Sequence, residues 1–300
     1  MEGLPNGFVL REQFRVLSTI GRGATSHVYL AKDQRYGHLC AIKAIVVETA
    51  APNDPFATTD TILSEARLLT SLSHSGLPKV YDFFFLNNLY YLVMEWVAGQ
   101  TLLQVLIDKG APCAEAEVLA WGIELCDILS YLHQRRPNPV VVGDIKPNNI
   151  MRTYEGKLKL IDFGIARYAD AAVKADGHTF VTPGFSPPEQ YRKVGLDRKA
   201  DIYALGATLY YLLTAANLDR FRFQVPPLRD LAPTCTRQFE EALERCLQNE
   251  ASARYASVDQ LKEDLRKAQD VDRRRDNNVN KQAKDILASL YRSKKDRRDL

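Results

Sequence analysis

The stretch Asp144-Ile145-Lys146-Pro147-Asn148-Asn149 is the most informative part of this chain of 300 residues, and it follows the three valines Val140–Val142. It places polar side chains directly after a short apolar strand. Asp144 can accept a proton from a hydroxyl group, Lys146 can stabilise a terminal phosphate, and Asn149 can hold Mg²⁺. Because a lone aspartate is more often a turn or cap residue, the prediction depends on the motifs around this stretch.

A second acidic motif, Asp162-Phe163-Gly164, follows the predicted strand Leu158–Ile161. An aspartate at the end of a strand is a candidate metal ligand, because Mg²⁺ prefers oxygen donors and bridges phosphate groups. The pattern predicts that Asp162 holds the metal together with Asn149.

The glycine-rich segment Gly21-Arg22-Gly23-Ala24-Thr25-Ser26-His27-Val28 lies upstream, between two predicted strands. Glycine has no Cβ, so the backbone of such a loop can approach phosphates closely. Lys43 ends the apolar run Ala41-Ile42-Lys43 and can reach the α- and β-phosphates. A charge in that position needs a partner, and Glu65 on the next predicted helix can provide it.

The hydrophobic pattern predicts a small sheet in the first third of the chain and mostly helices after it. The predicted strands are two within Phe14–Lys32, then Leu39–Val46, Val80–Phe85 and Leu89–Val97, and the predicted helices are Thr59–Leu72, Ala114–His133, Asp201–Thr214 and Arg237–Gln248.

In this order and spacing, the motifs resemble those of a eukaryotic-type protein kinase, specifically the bacterial Ser/Thr (Hanks-type) branch, from about Phe14 to Leu265. The segment Val181–Glu189 resembles the part of such kinases that docks a protein substrate. Asp201 resembles the residue that braces the catalytic loop from a central helix. Arg254 resembles the buried partner of Glu189.

The resemblance implies an α+β, bilobal protein-kinase fold with ATP between a small β-rich N-lobe and a larger, mainly α-helical C-lobe. The implied division is an N-terminal extension at 1–12, an N-lobe at 13–97, a C-lobe at 98–268 and a charged, partly helical tail at 269–300. The implied activity is that of an ATP-dependent serine/threonine protein kinase. Its cofactors are ATP and Mg²⁺, with Mn²⁺ as an alternative metal, and its partners are protein substrates.

The resemblance also assigns roles to individual residues. Met94 becomes the gatekeeper, the backbone of Glu95 and Val97 meets the adenine, and Ala41, Val28 and Met151 enclose its ring. The full nucleotide-binding set is Ile20, Gly21, Arg22, Gly23, Ala24, Thr25, Ser26, Val28, Ala41, Lys43, Met94, Glu95, Val97 and Met151. The catalytic set is Asp144, Lys146, Lys43 and Glu65, the metal ligands are Asn149 and Asp162, the substrate-docking residues are Thr182, Gly184 and Phe185, and the structural residues are Glu189, Asp201 and Arg254.

One departure from the family pattern lies directly before the catalytic aspartate. Val142 and Gly143 stand where most protein kinases have His-Arg. That arginine places a cation beside the aspartate, and an activation-loop phosphate often neutralises it. Its absence suggests a non-RD kinase whose activity does not require activation-loop phosphorylation, although the loop offers hydroxyl groups at Thr179, Thr182 and Ser186.

Two other functions compete with an active Ser/Thr kinase. A pseudokinase that binds nucleotide and regulates a partner is slightly favoured by the missing His-Arg, but the catalytic and metal residues are present. Small-molecule kinases of related fold generally lack a docking segment like Thr182–Glu189 of this chain, and its presence disfavours that function. Lys146, two residues after Asp144, disfavours a tyrosine kinase.

Net charge, cysteine content and hydropathy indicate which partners and which cell compartment to expect. The net charge of +3 gives no reason to expect a nucleic-acid partner. Five widely spaced cysteines without a Cys-x-x-Cys pair predict buried thiols in a reducing cytoplasm. The N-terminus lacks a signal-peptide pattern, and the longest apolar run, Ile202–Ala216, is too short for a transmembrane segment.

The chain becomes highly charged from about Val271, where it is expected to leave the core. Within this tail, one helical face carries the apolar residues Ala283, Ile286, Leu287, Leu290 and Tyr291. The tail is either a solvated extension or a segment that docks on the kinase domain, on a partner or on a second copy. Membrane association is expected only through its basic residues or through chain beyond Leu300.

Overall fold

The computed structural model describes residues 3–23, 26–46, 68–136, 139–161, 167–168, 181–192 and 197–275. The chain divides into two compact units. The first comprises Met1–Gln104 and Pro147–Tyr168, and the second comprises Val105–Lys146 and Ala169–Leu300. The sequence predicts that the boundary between the N-lobe and the C-lobe lies between residues 97 and 98. That boundary stays a prediction.

A six-stranded sheet, in the spatial order β1-β2-β3-β4-β6-β5, dominates the first unit. Its strands are β1 (Val9–Leu10), β2 (Phe14–Arg22), β3 (Ser26–Asp33), β4 (Leu39–Val46), β5 (Val80–Leu86) and β6 (Leu89–Glu95). The strands predicted from alternating and β-branched residues are confirmed, except that β6 ends at Glu95 rather than at Val97. Of the predicted helix Thr59–Leu72, only the end lies within the described residues, and 68–71 are helical.

The core of the first unit covers one face of this sheet. Its buried side chains are Leu10, Phe14, Val16, Tyr29, Ala31, Cys40, Ile42, Ala44, Phe84, Tyr91 and Val93. Residues ahead of β2 take part, since Leu10 is buried and Leu4 packs against the cluster. The backbone N–H of Leu4 donates to the hydroxyl of Tyr29 at 3.0 Å. The described part of the N-terminal extension is therefore built into the sheet.

A smaller antiparallel sheet in the same unit consists of β7 (Gly99–Thr101), β9 (Ile150–Thr153) and β10 (Leu158–Leu160). A Cβ at Gly99 would lie 2.1 Å from the carbonyl oxygen of Arg152, so glycine is required for this close approach. The sheet brings the second half of the 144–162 region into the first unit.

The second unit is mainly helical. Its helices are α2 (Glu115–His133), α3 (Pro188–Tyr191), α4 (Arg198–Thr214), α5 (Leu228–Leu231), α6 (Arg237–Cys246) and α7 (258–275), preceded by α1 (Leu102–Lys109), which begins in the first unit. The remaining short elements of the second unit are β8 (Val140–Val141) and the 3₁₀ turns Leu218–Phe221 and Ala251–Ala253, whereas the 3₁₀ turn Pro147–Asn149 and β11 (Arg167–Tyr168) belong to the first unit.

Helix α4 is buried on nearly all sides, as expected for a helix that is apolar around its circumference. A Cβ at Gly206 would lie 2.4 Å from the Cβ of Cys246, so the glycine lets α4 and α6 pack closely. The sequence predicted that α4 begins at Asp201, which is wrong by three residues. The polar first turn, which starts at Arg198, gave no apolar signal to mark it.

The chain does not leave the core at Val271 as expected. Helix α7 continues to residue 275, the side chain of Asp272 is buried, and the guanidinium of Arg275 donates to the carbonyl of Thr234. The apolar stripe from Ala283 to Tyr291 lies outside the described residues.

All five cysteines are buried free thiols, as predicted. Within the described ranges, no helix has the length and apolar character needed to cross a bilayer.

Candidate active site

Three polar side chains converge in the second unit. The hydroxyl of Thr182 donates to Oδ1 of Asp144 at 2.6 Å, and Nζ of Lys146 contacts Oδ2 of the same carboxylate at 2.7 Å. Lys146 also donates to the hydroxyl of Thr182 at 3.1 Å. The side chains of Asp144 and Lys146 keep 15% and 23% of their accessible surface, so the cluster is partly exposed to solvent.

The backbone ahead of Asp144 is held by a fully buried carboxylate. Asp201, near the start of α4, accepts hydrogen bonds from the N–H of Val142 at 2.9 Å and of Gly143 at 2.8 Å. It also accepts one from Nε2 of His133, at the end of α2, at 2.8 Å. The resemblance had given Asp201 a bracing role, whereas His133 had no local signal in the sequence. Its partner lies 68 positions away.

Gly143 has a backbone φ of +77°, in the left-handed region where residues with a Cβ are strained. Thus the residue found in place of the usual arginine also suits its backbone conformation. Val142, which stands in place of the usual histidine, is completely buried as an apolar residue.

The predicted docking segment forms a tight turn beside this cluster. The N–H groups of Phe185 and Ser186 both donate to the carbonyl of Thr182 at 3.0 Å, and the N–H of Thr182 donates to Oγ of Ser186 at 3.0 Å. Gly184 has a φ of +84°, and the ring of Phe185 packs edge-on against Tyr211. Ser186 is only 4% exposed, which makes it a poor phosphate acceptor despite the sequence-based suggestion.

The end of this segment is anchored by an ion pair. The two terminal nitrogens of Arg254 donate to the two oxygens of Glu189 at 2.6 and 2.9 Å. The guanidinium of Arg254 is fully buried and also donates to the carbonyls of Gln248, Lys199 and Asn249 at 2.8, 3.1 and 3.1 Å. Bidentate pairing satisfies this buried cation, and the structure thereby joins the two residues that the sequence had paired.

The glycine-rich segment of the first unit is the hairpin between β2 and β3. Gly21 lies opposite Val28, and the N–H of Gly23 donates to the carbonyl of Ser26 at 2.7 Å. Ala24 and Thr25, at the tip, lie outside the described residues.

The predicted nucleotide-binding residues of the sheet share one face. Lys43 lies directly opposite Val28 on β3, and Ala41, two positions earlier on β4, lies opposite Met94 on β6. Because side chains alternate along a strand, these four project from the same face, opposite to the buried core. Ile20, the neighbour of Gly21, is exposed.

Glu95 has its carboxylate committed elsewhere. One carboxylate oxygen accepts from Nζ of Lys159 at 2.8 Å and from the N–H of Lys79 at 3.1 Å. A contact of Glu95 with adenine would therefore involve its backbone, as the resemblance implies. The pair with Lys159 was not predicted from the sequence. Val97 is buried shortly after the end of β6.

Two further predicted site residues of the first unit, Met151 and Asn149, lie within the described residues. Met151 lies on β9 opposite Lys159, and the buried Asn149 accepts a hydrogen bond at its carbonyl from the N–H of Ile161 at 2.9 Å. The amide oxygen of Asn149 is a hard donor that suits Mg²⁺. Glu65 and Asp162 lie outside the described residues. Within the described ranges, no three His, Cys, Asp or Glu side chains form a metal-binding group.

Comparison with known proteins identifies what this arrangement is similar to. The family model described as protein kinase domain matches residues 14–299. Serine/threonine-protein kinase PrkC of Bacillus subtilis is 28% identical over 273 residues, covering 87% of this chain and 41% of the relative. Serine/threonine-protein kinase C of Synechocystis is 34% identical over 218 residues, covering 69% of this chain and 40% of the relative. The chain thus spans less than half the length of these curated relatives.

A solved structure shows the same fold. The crystal structure of the Mycobacterium tuberculosis PknI kinase domain matches with a TM-score of 0.72 at 24% identity, covering 89% of this chain and all of that domain. The predicted α+β protein-kinase fold, with its β-rich and helical parts, is confirmed.

Proposed function

Because this chain belongs to the protein kinase domain family, we propose that it transfers the γ-phosphoryl group of ATP to serine and threonine hydroxyls of proteins. The observation that carries the proposal is the cluster of Asp144, Lys146 and Thr182. Both oxygens of the Asp144 carboxylate are fixed by these neighbours at 2.6 and 2.7 Å. A carboxylate held in this way is fixed in orientation toward a hydroxyl group brought to it.

In the proposed reaction, Asp144 orients the substrate hydroxyl and accepts its proton, and Lys146 stabilises negative charge on the transferring group. Lys43 and Glu65 position ATP, whose ring lies against Ala41, Val28 and Met151. Catalysis then consists mainly of positioning and charge neutralisation.

A divalent metal would be held by Asn149 and Asp162, which offer the oxygen donors that Mg²⁺ prefers. Bound there, such a metal would supply positive charge against the negative charge of the phosphates. The chain's own contribution is to orient the amide of Asn149 through the turn Pro147–Asn149, in which that residue is buried.

Thr182, Gly184 and Phe185 are proposed to receive the protein substrate. The turn that they form is supported by the anchored end at Glu189 and by the contact of Phe185 with Tyr211. The tail after residue 275 is proposed to dock on the kinase domain, on a partner or on a second copy through its apolar stripe.

The proposal extends to control. Gly143 does not bring the cation that the usual arginine places beside the catalytic aspartate, so an activation-loop phosphate would find no charge at position 143 to neutralise. We therefore expect non-RD behaviour, in which activity is independent of activation-loop phosphorylation. Of the loop hydroxyls, Thr182 is engaged with Asp144 and Ser186 is buried. Thr179, which lies outside the described residues, is the one left to test.

The experiment is incubation of the purified chain with Mg·ATP and a generic protein substrate, followed by mapping of phosphorylated sites. Phosphate on serine and threonine is the expected result, and a folded protein that binds ATP without transferring phosphate would contradict the proposal. In the same assay, Thr179→Ala should keep most of the wild-type rate. A large loss of rate in this folded variant would contradict independence from loop phosphorylation.

A further inference from the structure

The backbone of Gly143 is held from both sides. Its N–H donates to Oδ1 of Asp201 at 2.8 Å, and its carbonyl oxygen accepts from Nε2 of Gln190 at 3.2 Å. Since a carbonyl oxygen can only accept, the amide nitrogen of Gln190 is the atom that must face it. The next residue in the chain is Asp144, so both contacts act one residue away from the proposed catalytic carboxylate.

The position of Gln190 is set by an anchored part of the chain. It lies on the short helix α3, is 1% exposed, and its N–H donates to the carbonyl of Pro187 at 3.0 Å. The preceding residue, Glu189, is fixed by the bidentate contact with the buried Arg254. The backbone of Gln190 is therefore held in an anchored element, and its side chain is buried there.

We propose that Gln190 is a positioning residue for Asp144. Its hydrogen bond to the carbonyl of Gly143 links the anchored end of the docking segment to the catalytic loop. This inference rests on the proposed function, because it explains how the catalytic aspartate of that reaction is oriented. In this proposal Gln190 has no contact with substrate or ATP, and its effect on Asp144 passes through the backbone of Gly143.

The hydrogen bond between Gln190 and Gly143 joins two uncharged groups, and this bears on how phosphorylation could regulate the activity. At position 143, where the usual arginine would bring a cation, the contact from the segment is an amide donor to a carbonyl acceptor, and it adds to the contacts of Thr182 with Asp144 and Lys146. Such a bond forms without any phosphate. It gives a physical reason for the expected independence from loop phosphorylation.

Two substitutions separate the hydrogen bond from the volume of the side chain. Gln190→Met has nearly the same shape but no donor, and leaves the buried carbonyl of Gly143 without this partner. We expect kcat to fall by about 10–100-fold, which matches the cost of leaving one buried polar group unsatisfied, with KM for ATP within about twofold. The matched control is Thr236→Val, which removes a buried hydroxyl group that donates to Glu115 and lies far in sequence from the catalytic loop. This variant should leave kcat unchanged.

Gln190→Glu gives a readout that a purely structural role would not produce. Only a protonated carboxyl group can donate to the carbonyl, and burial raises the pKa of a carboxyl group at such a position. We expect the kcat of Gln190→Glu to rise relative to Gln190→Met as the pH is lowered from about 8 to about 6. Identical pH profiles for the two variants would overturn the proposal, as would a kcat within twofold of wild type in folded Gln190→Met.

Amide hydrogen exchange of the peptide containing Gly143 and Asp144 tests the link without an activity assay. Exchange should be faster in Gln190→Met than in wild type or Thr236→Val, and unchanged exchange would overturn the inference. If the wild-type chain transfers no phosphate, the proposed function fails. The exchange experiment then still decides whether Gln190 holds the loop.

Discussion

The hydroxyl of Thr182 donates to Oδ1 of Asp144 at 2.6 Å, across 38 positions of the chain. The contact joins the turn that is proposed to receive substrate to the residue that is proposed to accept the proton. Because Lys146 contacts both partners, the three groups share one hydrogen-bonded arrangement. Disturbing any one of them should misplace the other two.

Thr182→Ala removes the hydroxyl and should lower kcat by about 10–100-fold, since a hydrogen bond to a charged group contributes about 1.5–3 kcal/mol. Thr182→Ser keeps the hydroxyl and should retain most of the activity. Steady-state kinetics of the two variants is the measurement. Equal activity of the alanine and serine variants would show that the hydroxyl does not position Asp144.

Arg254→Met should lower the free energy of unfolding by about 3–5 kcal/mol, because it leaves the partly buried carboxylate of Glu189 and three carbonyl groups without their donor. Arg237→Met is the control, since the pair of Arg237 with Glu241 is exposed and should contribute no more than about 0.5 kcal/mol. Urea denaturation measures both. Similar losses in the two variants would rule out a special role for the buried pair.

Burial raises the pKa of Glu115, and the nearby carboxylate of Asp272 adds to the rise, although hydrogen bonds from Thr236 oppose it. The folded state therefore binds a proton more readily than the unfolded chain does. The resulting stability is fully present below the ordinary pKa of a glutamate and is lost as the pH rises through the folded value. The advantage of wild type over Glu115→Gln, in free energy of unfolding, should be greater at about pH 5 than at about pH 8. An advantage that grows with pH would contradict this assignment.

Arg11 and Glu12 form the turn between β1 and β2 with φ values of +47° and +57°. Glycine accepts such angles without steric cost, so Glu12→Gly should raise the free energy of unfolding by about 0.5–1 kcal/mol. Gln34→Gly, at an exposed position without a positive φ, is the control and should lower stability instead. Arg11 is retained in both variants because its guanidinium pairs with Asp82. Thermal or urea unfolding in which Glu12→Gly is less stable than wild type would contradict the strain argument.

The sequence predicted the parts of the site that lie within short motifs. Asp144 and Lys146 are two residues apart, and Thr182 belongs to a segment with a recognisable pattern. Gln190 and His133 were missed because they act on backbone or buried groups that are distant in the sequence, and nothing in their neighbours marks those contacts.

The same limit applies to the fold. Strands such as Leu39–Val46 follow from β-branched and apolar residues, which are local properties. The assignment of Pro147–Tyr168 to the first unit depends instead on the pairing of β9 with β7, which no local pattern encodes. Likewise, burial of Leu10 beside Phe84 depends on how the sheet closes over its core.

Asp144 is proposed to serve as the proton acceptor in phosphoryl transfer, and the turnover of Asp144→Asn is the measurement that decides this role. With Mg·ATP and a protein substrate, the variant should fold and bind ATP like the wild type, while kcat falls by about 10²–10⁴-fold, the range for loss of a general base. A folded Asp144→Asn variant with nearly unchanged kcat would contradict the account.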